Sequence, residues 1–129
     1  MRVYSYAYSD AYTPEAPAVE IGVYSPGQPE NQTRLTLLLD TGADVTALPL
    51  RLLNRIAAGY LETVTLRGIT GGRVRVDMYQ VMIQVGPHTV GAVRVVGVAA
   101  TTDAVLGRDV LNQLVITLDG PAQTTEIVE

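Results

Sequence analysis

The chain is expected to fold as an all-β domain carrying one or two short helices. Three observations predict this. Residues 3–8, 18–24 and 61–79 alternate apolar and polar side chains with period two, as half-buried strands do. Breaks rich in glycine and proline separate the runs, at 13–17, 25–31, 68–72 and 86–89. Helical spacing occurs only near 50–58 and 108–113. With 129 residues, 47% hydrophobic and 17% charged, the chain suffices for one domain with a real core.

The elements follow in order. Tyr4, Tyr6 and Tyr8 share one face of the first strand, which predicts half-buried sheet packing, with a subunit contact as the sharper alternative. A second strand spans 18–24, and a third runs from Arg34 to Leu39. Val45 to Leu48 reads as extended. Pro49 is placed to start a helix at 50–58, and Gly59 to stop it. A hairpin over 61–79 turns at Gly68-Ile69-Thr70-Gly71-Gly72, a pliable tip. A second hairpin, 80–85 to 90–96, turns at Gly86-Pro87-His88-Thr89. Asp109 suits the first turn of a helix at 108–113. Val115–Leu118 reads as a last core strand, ended by Gly120-Pro121, and 122–129 reads as a polar tail. An apolar strand, a turn and a short helix occur at 35–58 and again at 93–113, a weak internal echo.

Composition excludes several chemistries. With no Cys there is no disulfide, thiolate metal site or cysteine nucleophile. The net charge of −4 argues against a nucleic-acid partner, which calls for a basic footprint. No apolar run reaches membrane-spanning length, and the N-terminus lacks the apolar stretch of a signal peptide, so no membrane partner and a cytoplasmic location are expected. His88, the only histidine, falls in a turn, which leaves Ser-His chemistry without a base. Asp40 and Asp44 are too few to hold a metal, and no cofactor is expected.

Acids remain. Leu37-Leu38-Leu39 runs straight into Asp40, and a carboxylate ending a buried strand is costly without partners. Gly42 lets the backbone fold back so that main-chain N–H groups reach that carboxylate, and Thr41 offers a hydroxyl. Activating water with carboxyl groups takes two of them, one accepting a proton and one donating. The chain holds a single Asp-Thr-Gly.

Three stretches together resemble the retropepsin family, the single-domain aspartic proteases of retroviruses and their bacterial relatives. LLLDTGADVTALP resembles the active-site strand and loop, RGITGGRVRV the glycine-rich flap, and AVLGRDVLNQL the hydrophobic-hydrophobic-Gly-Arg stretch with its helix. They stand in family order, and the similarity covers roughly 18–118. The resemblance implies a closed barrel of hairpins with one Asp-Thr-Gly lobe per chain. It implies a homodimeric aspartic endopeptidase acting on peptide or protein substrates, with two Asp40 side chains facing across a two-fold axis.

By the same resemblance Asp40, Thr41 and Gly42 form the catalytic loop, and Thr41 bonds across the axis. Asp44 holds the substrate main chain and pairs with Arg108. Gly68, Ile69, Thr70, Gly71 and Gly72 close over the substrate, and Ala43, Val45, Ile69 and Val105 give the cleft an apolar lining. Residues 1–17 are expected as an N-terminal strand and loop that could serve as an interface arm, 18–119 as the retropepsin-like domain, and 120–129 as a polar tail. The sequence also departs from the viral pattern. The tip reads Gly-Ile-Thr-Gly-Gly, the helix at 50–58 replaces a shorter connection, and no interface-crossing Arg occurs near 10–20. A non-catalytic peptide-binding or assembly module on the same fold is the competing expectation.

Overall fold

Alternation becomes strand in order along the chain, as seen in a computed structural model that describes residues 1–67 and 71–129. The elements are β1 (Val3–Ala7), β2 (Ala18–Tyr24), β3 (Thr33–Leu39), β4 (Ala47–Pro49), α1 (Leu50–Arg55), β5 (Gly59–Arg67), β6 (Arg73–Val85), β7 (His88–Val98), β8 (Val105–Leu106), α2 (Arg108–Leu111), β9 (Ile116–Asp119) and β10 (Thr124–Val128). Neither helix is long or apolar enough to cross a membrane.

Six strands close into a ring. The order is β2-β3-β8-β4-β7-β6, and β6 returns to β2 through pairs such as Ile21 with Val85. β5 lies outside on β6. The inward side chains of the ring are apolar and almost fully covered, among them Val19, Ile21, Leu37, Leu48, Ile83 and Leu106. Each such burial stabilises the fold by about 1.5–3 kcal/mol. The internal echo takes the form of two crossed parallel pairs. Leu38 and Leu39 pair with Val105 and Leu106, and Ala47 to Pro49 pair with Val96 to Val98. Two parallel pairings of this kind bring the ends of β3 and β8 side by side.

A second sheet, ordered β1-β10-β9, packs beside the ring. Here the structure corrects the expectation for 122–129. The segment is the central strand of this sheet, with Thr125 and Ile127 fully buried. Its polar composition hid an alternation in which Thr125 and Ile127 point inward. Gly120-Pro121 therefore belongs to a hairpin turn, where the Asp119 carboxylate accepts from the Ala122 N–H at 3.0 Å. The expected core strand at 115–118 is also corrected. β9 starts one residue later and is largely exposed, because it pairs with β10 and not within the ring. Tyr4 and Tyr6 are half-buried against the core, as sheet packing requires.

Three boundaries moved for local reasons. β6 is one 13-residue strand that serves both hairpins, with a register shift between Val81 and Ile83. His88 opens β7 instead of sitting in a turn, and its Nε2 lies 2.8 Å from the Val128 carbonyl. α1 stops at Arg55, not at 58. The Ala58 N–H donates to the Leu53 carbonyl at 2.9 Å and the Ala57 N–H to the Asn54 carbonyl at 3.1 Å. This is a Schellman closure, and its left-handed residue is Ala57, at φ 52°. An L-residue with a side chain is disfavoured there. Ala57→Gly is therefore expected to raise stability by about 1 kcal/mol, visible in calorimetry as a Tm increase of roughly 3–5 °C. An unchanged or lower Tm would contradict this account of the helix end.

Candidate active site

β3 carries the site. Leu37 is buried in the ring, and the strand emerges at Asp40, which is half-buried. The Asp40 N–H donates to the Leu106 carbonyl at 3.0 Å, so β8 holds the strand end. The Ala43 N–H donates back to the Asp40 carbonyl at 3.1 Å, which closes a tight turn. Within that turn the Gly42 N–H donates to Asp40 Oδ1 at 2.9 Å. The carboxylate thus sits in one orientation with a charge-assisted bond to main chain. A Cβ on Gly42 would lie 3.2 Å from the same oxygen and crowd it.

The far side of the loop is held by α2. The Arg108 N–H donates to the Ala43 carbonyl at 2.9 Å. Its guanidinium donates to the Thr41 carbonyl at 2.5 Å and to the Asp44 carboxylate. The Asp44 side chain is 83% exposed and that of Arg108 42%, so the ion pair itself contributes about 0–1 kcal/mol. Its effect is geometric. One planar fork reaches two points of the 41–44 loop and fixes its path.

A second brace lies beneath, and the sequence did not disclose it. Thr46 is fully buried. Its N–H and hydroxyl donate to the two carboxylate oxygens of Asp109, at 3.0 and 2.7 Å. The Gly107 N–H donates to Thr46 Oγ1 at 3.0 Å, and the Val96 N–H to the Thr46 carbonyl at 3.0 Å. Asp109 reads locally as a first-turn helix acid and Thr46 as a strand residue. Their partnership spans 63 positions, so no local pattern announces it. Asp109→Ala leaves the buried Thr46 hydroxyl and N–H without acceptors. The expected cost is about 2–3 kcal/mol, read as a lowered urea midpoint with an unchanged slope. A midpoint equal to that of the parent chain would remove Thr46 and Asp109 from the support of the loop.

The structure brings Asp40, Thr41, Gly42, Ala43 and Asp44 into one loop braced by Arg108, with Val105 one strand away opposite Leu38. Thr41, Gly42 and Asp44 are exposed, while Ala43, Val45 and Val105 are half-buried. Gly71 and Gly72 are exposed beyond the start of β6, with Gly71 at φ 82°, and among the described residues no hydrogen bond ties them to 40–44. Gly68, Ile69 and Thr70 lie outside the described residues. Among the described residues no cluster of three or more His, Cys, Asp or Glu could hold a metal.

Residues 29–113 match the family described as "gag-polyprotein putative aspartyl protease". The chain belongs to this aspartyl protease family. The fold is retropepsin-like, and solved structures of such proteases superpose on it. The EIAV protease complexed with the inhibitor HBY-793 is 27% identical over 76% of this chain and 86% of its own, with a TM-score of 0.58. A retropepsin-like aspartic protease from Rickettsia conorii covers 98% of this chain and 91% of its own at a TM-score of 0.63; at 14% identity it attests the fold alone. No curated protein matches the chain. Within the family, the Asp-Thr-Gly loop and the Arg108 brace occupy the stretch that matches.

Proposed function

We propose that the chain is an aspartic endopeptidase of retropepsin type, active as a homodimer in which two Asp40 side chains form the catalytic dyad. The observation that carries this reading is the pinned carboxylate of Asp40 on an exposed loop, in a chain with only one Asp-Thr-Gly. Two facing carboxyls at close range cannot both ionise, so they share a proton and titrate as a unit. The ionised partner takes a proton from water, the water oxygen attacks the peptide carbonyl, and the protonated partner donates to the carbonyl oxygen. The diol then collapses as the newly protonated carboxyl gives its proton to the amide nitrogen, the C–N bond breaks, the amine leaves, and a diol hydroxyl returns its proton to the other carboxylate. No covalent intermediate and no metal are needed. Cleavage is expected to favour acid, because one carboxyl must hold its proton.

The other residues take supporting parts. Thr41 bonds across the axis and locks the two loops. Gly42 contributes its N–H to the carboxylate. Asp44, oriented by Arg108, holds substrate main chain, and an extended peptide adds as a strand under Gly68–Gly72. Ala43, Val45, Ile69 and Val105 favour apolar substrate side chains. Sedimentation with and without a statine-type inhibitor tests the reading, together with peptide cleavage. A dimer that tightens with inhibitor supports it. A monomer under both conditions, with no cleavage at any pH, supports the second reading, a peptide-binding or assembly module. The observation that favours this alternative is the second sheet, which completes its β1, β10 and β9 pairings within one chain.

A further inference from the structure

Three arginines meet at one recess between β3 and α1. β3 pairs with β8 only at Leu38 and Leu39. The start of the strand therefore faces α1, across a recess of about 180 Å³. Arg34 of β3 and Arg51 and Arg55 of α1 line it, and Thr33 adds a hydroxyl. Arg51 and Arg55 stand four positions apart, so they share one face of the helix. Leu35 and Leu52 supply apolar walls, and Leu52 is only 7% exposed. Three of the nine basic residues in a chain of net charge −4 thus line one small space.

Little counter-charge answers them. Among the described residues neither Arg51 nor Arg55 makes an ion pair. Arg34 meets Glu20 at 3.5 Å, and with side chains 75% and 52% exposed such a pair is weak. Asp103 lines a neighbouring pocket with Arg51 but forms no ion pair with it. A last-turn cation suits the carbonyl end of α1, which accounts for Arg55 and for neither of the others. Like charges in one recess repel, and an anion among them removes that cost. We infer that the recess binds one phosphoryl group, as free phosphate or as the ester of a soluble molecule, through the guanidinium groups of Arg34, Arg51 and Arg55. A carboxylate would bring one charge and two oxygens. A phosphoryl group brings about two charges and three acceptor oxygens, enough for three forks, and guanidinium forks match phosphate geometry bidentately. A membrane surface fits less well, because it calls for exposed apolar side chains to insert, and Leu35 and Leu52 are covered. None of these residues belongs to the 40–44 loop, so the assignment is independent of the protease reading.

Calorimetric titration and thermal unfolding at constant ionic strength test this. Inorganic phosphate should bind saturably, one per chain, while sodium chloride leaves the Tm unchanged. At phosphate about ten times above its dissociation constant the Tm should rise by about 5 °C. Arg51→Gln and Arg55→Gln should each weaken binding at least ~10-fold, the scale of a lost charge-assisted hydrogen bond. Both side chains are exposed, so the fold should survive, which circular dichroism checks. Arg2→Gln, outside the recess, should bind phosphate as the parent chain does. Glycerol phosphate binding at least as tightly as phosphate identifies an ester ligand, and weaker binding identifies the free ion; either upholds the site. Four results would overturn it: no phosphate binding up to about 10 mM, an equal Tm rise with chloride, unchanged affinity in both glutamine variants, or binding only to vesicles containing phosphatidic acid or only to polyglutamate.

Discussion

Asp40→Asn is expected to abolish peptide cleavage and to leave the fold intact. The loss expected is at least ~10³-fold in kcat/KM, the scale on which a positioned proton donor and acceptor contribute. The fold survives because an asparagine oxygen can still accept from the Gly42 N–H, and Asp40 lies at the rim of the ring rather than in its core. Matched thermal unfolding of the variant and the parent chain checks this half of the prediction. The proposed dimeric dyad adds a sharper consequence. After equimolar mixing and exchange, only about a quarter of the dimers retain both carboxylates, and activity should fall in proportion. Activity of one half at equal mixing would mean that a single Asp40 suffices, and the composite site would be lost.

Gly107→Ala is expected to be the most damaging small substitution in the chain. Gly107 is buried, and a Cβ there would lie 2.6 Å from the carbonyl carbon and oxygen of Val45 and 3.0 Å from the nitrogen of Thr46. These are backbone atoms, held in place because Thr46 is bonded to Asp109 and Val96. Relief would require β8 to part from the 45–46 segment. The cost should be about 3 kcal/mol, the upper end of the overpacking range, with activity falling alongside because Arg108 follows directly. Gly22→Ala is the contrast. The three atoms nearest its Cβ all belong to the Gln32 side chain, whose exposed end can swing aside, so little change is expected. Urea titration of the pair decides the matter. Equal midpoints for the two variants would show that the approach of β8 to the active loop is not tight.

Strands, hairpins and the placement of Asp40 were legible because each depends on neighbours in sequence. Period two along 18–24 reports a face of the ring, and the run from Leu37 into Asp40 reports a strand end. The same local logic misjudged the chain end. Thr124 to Val128 looks polar, yet it forms a buried strand because β1, more than a hundred positions earlier, supplies its partner. The closure of α1 through a left-handed Ala57 instead of Gly59 was also hidden, since glycine is only the usual residue for a left-handed cap.

By itself, the amino-acid order determined the all-β class, the order of the three family stretches and the carboxylate at the strand end. The class and the strand-end carboxylate rest on side-chain alternation, turn chemistry and the cost of burying a charge, which act over a few residues, and the three stretches rest on resemblance to the family. Only the tertiary structure decided what else holds that carboxylate's loop beside the Asp44–Arg108 pair that the resemblance implied: Leu106 at the strand end, the bond from Arg108 to the Thr41 carbonyl, and Thr46 with Asp109 beneath. It also decided that β9 is an outer strand of the second sheet, beside Thr41. Those contacts join positions some sixty or more residues apart. They exist because parallel pairing of β3 with β8 and of β4 with β7 brings two distant turns together, and no local pattern encodes that encounter.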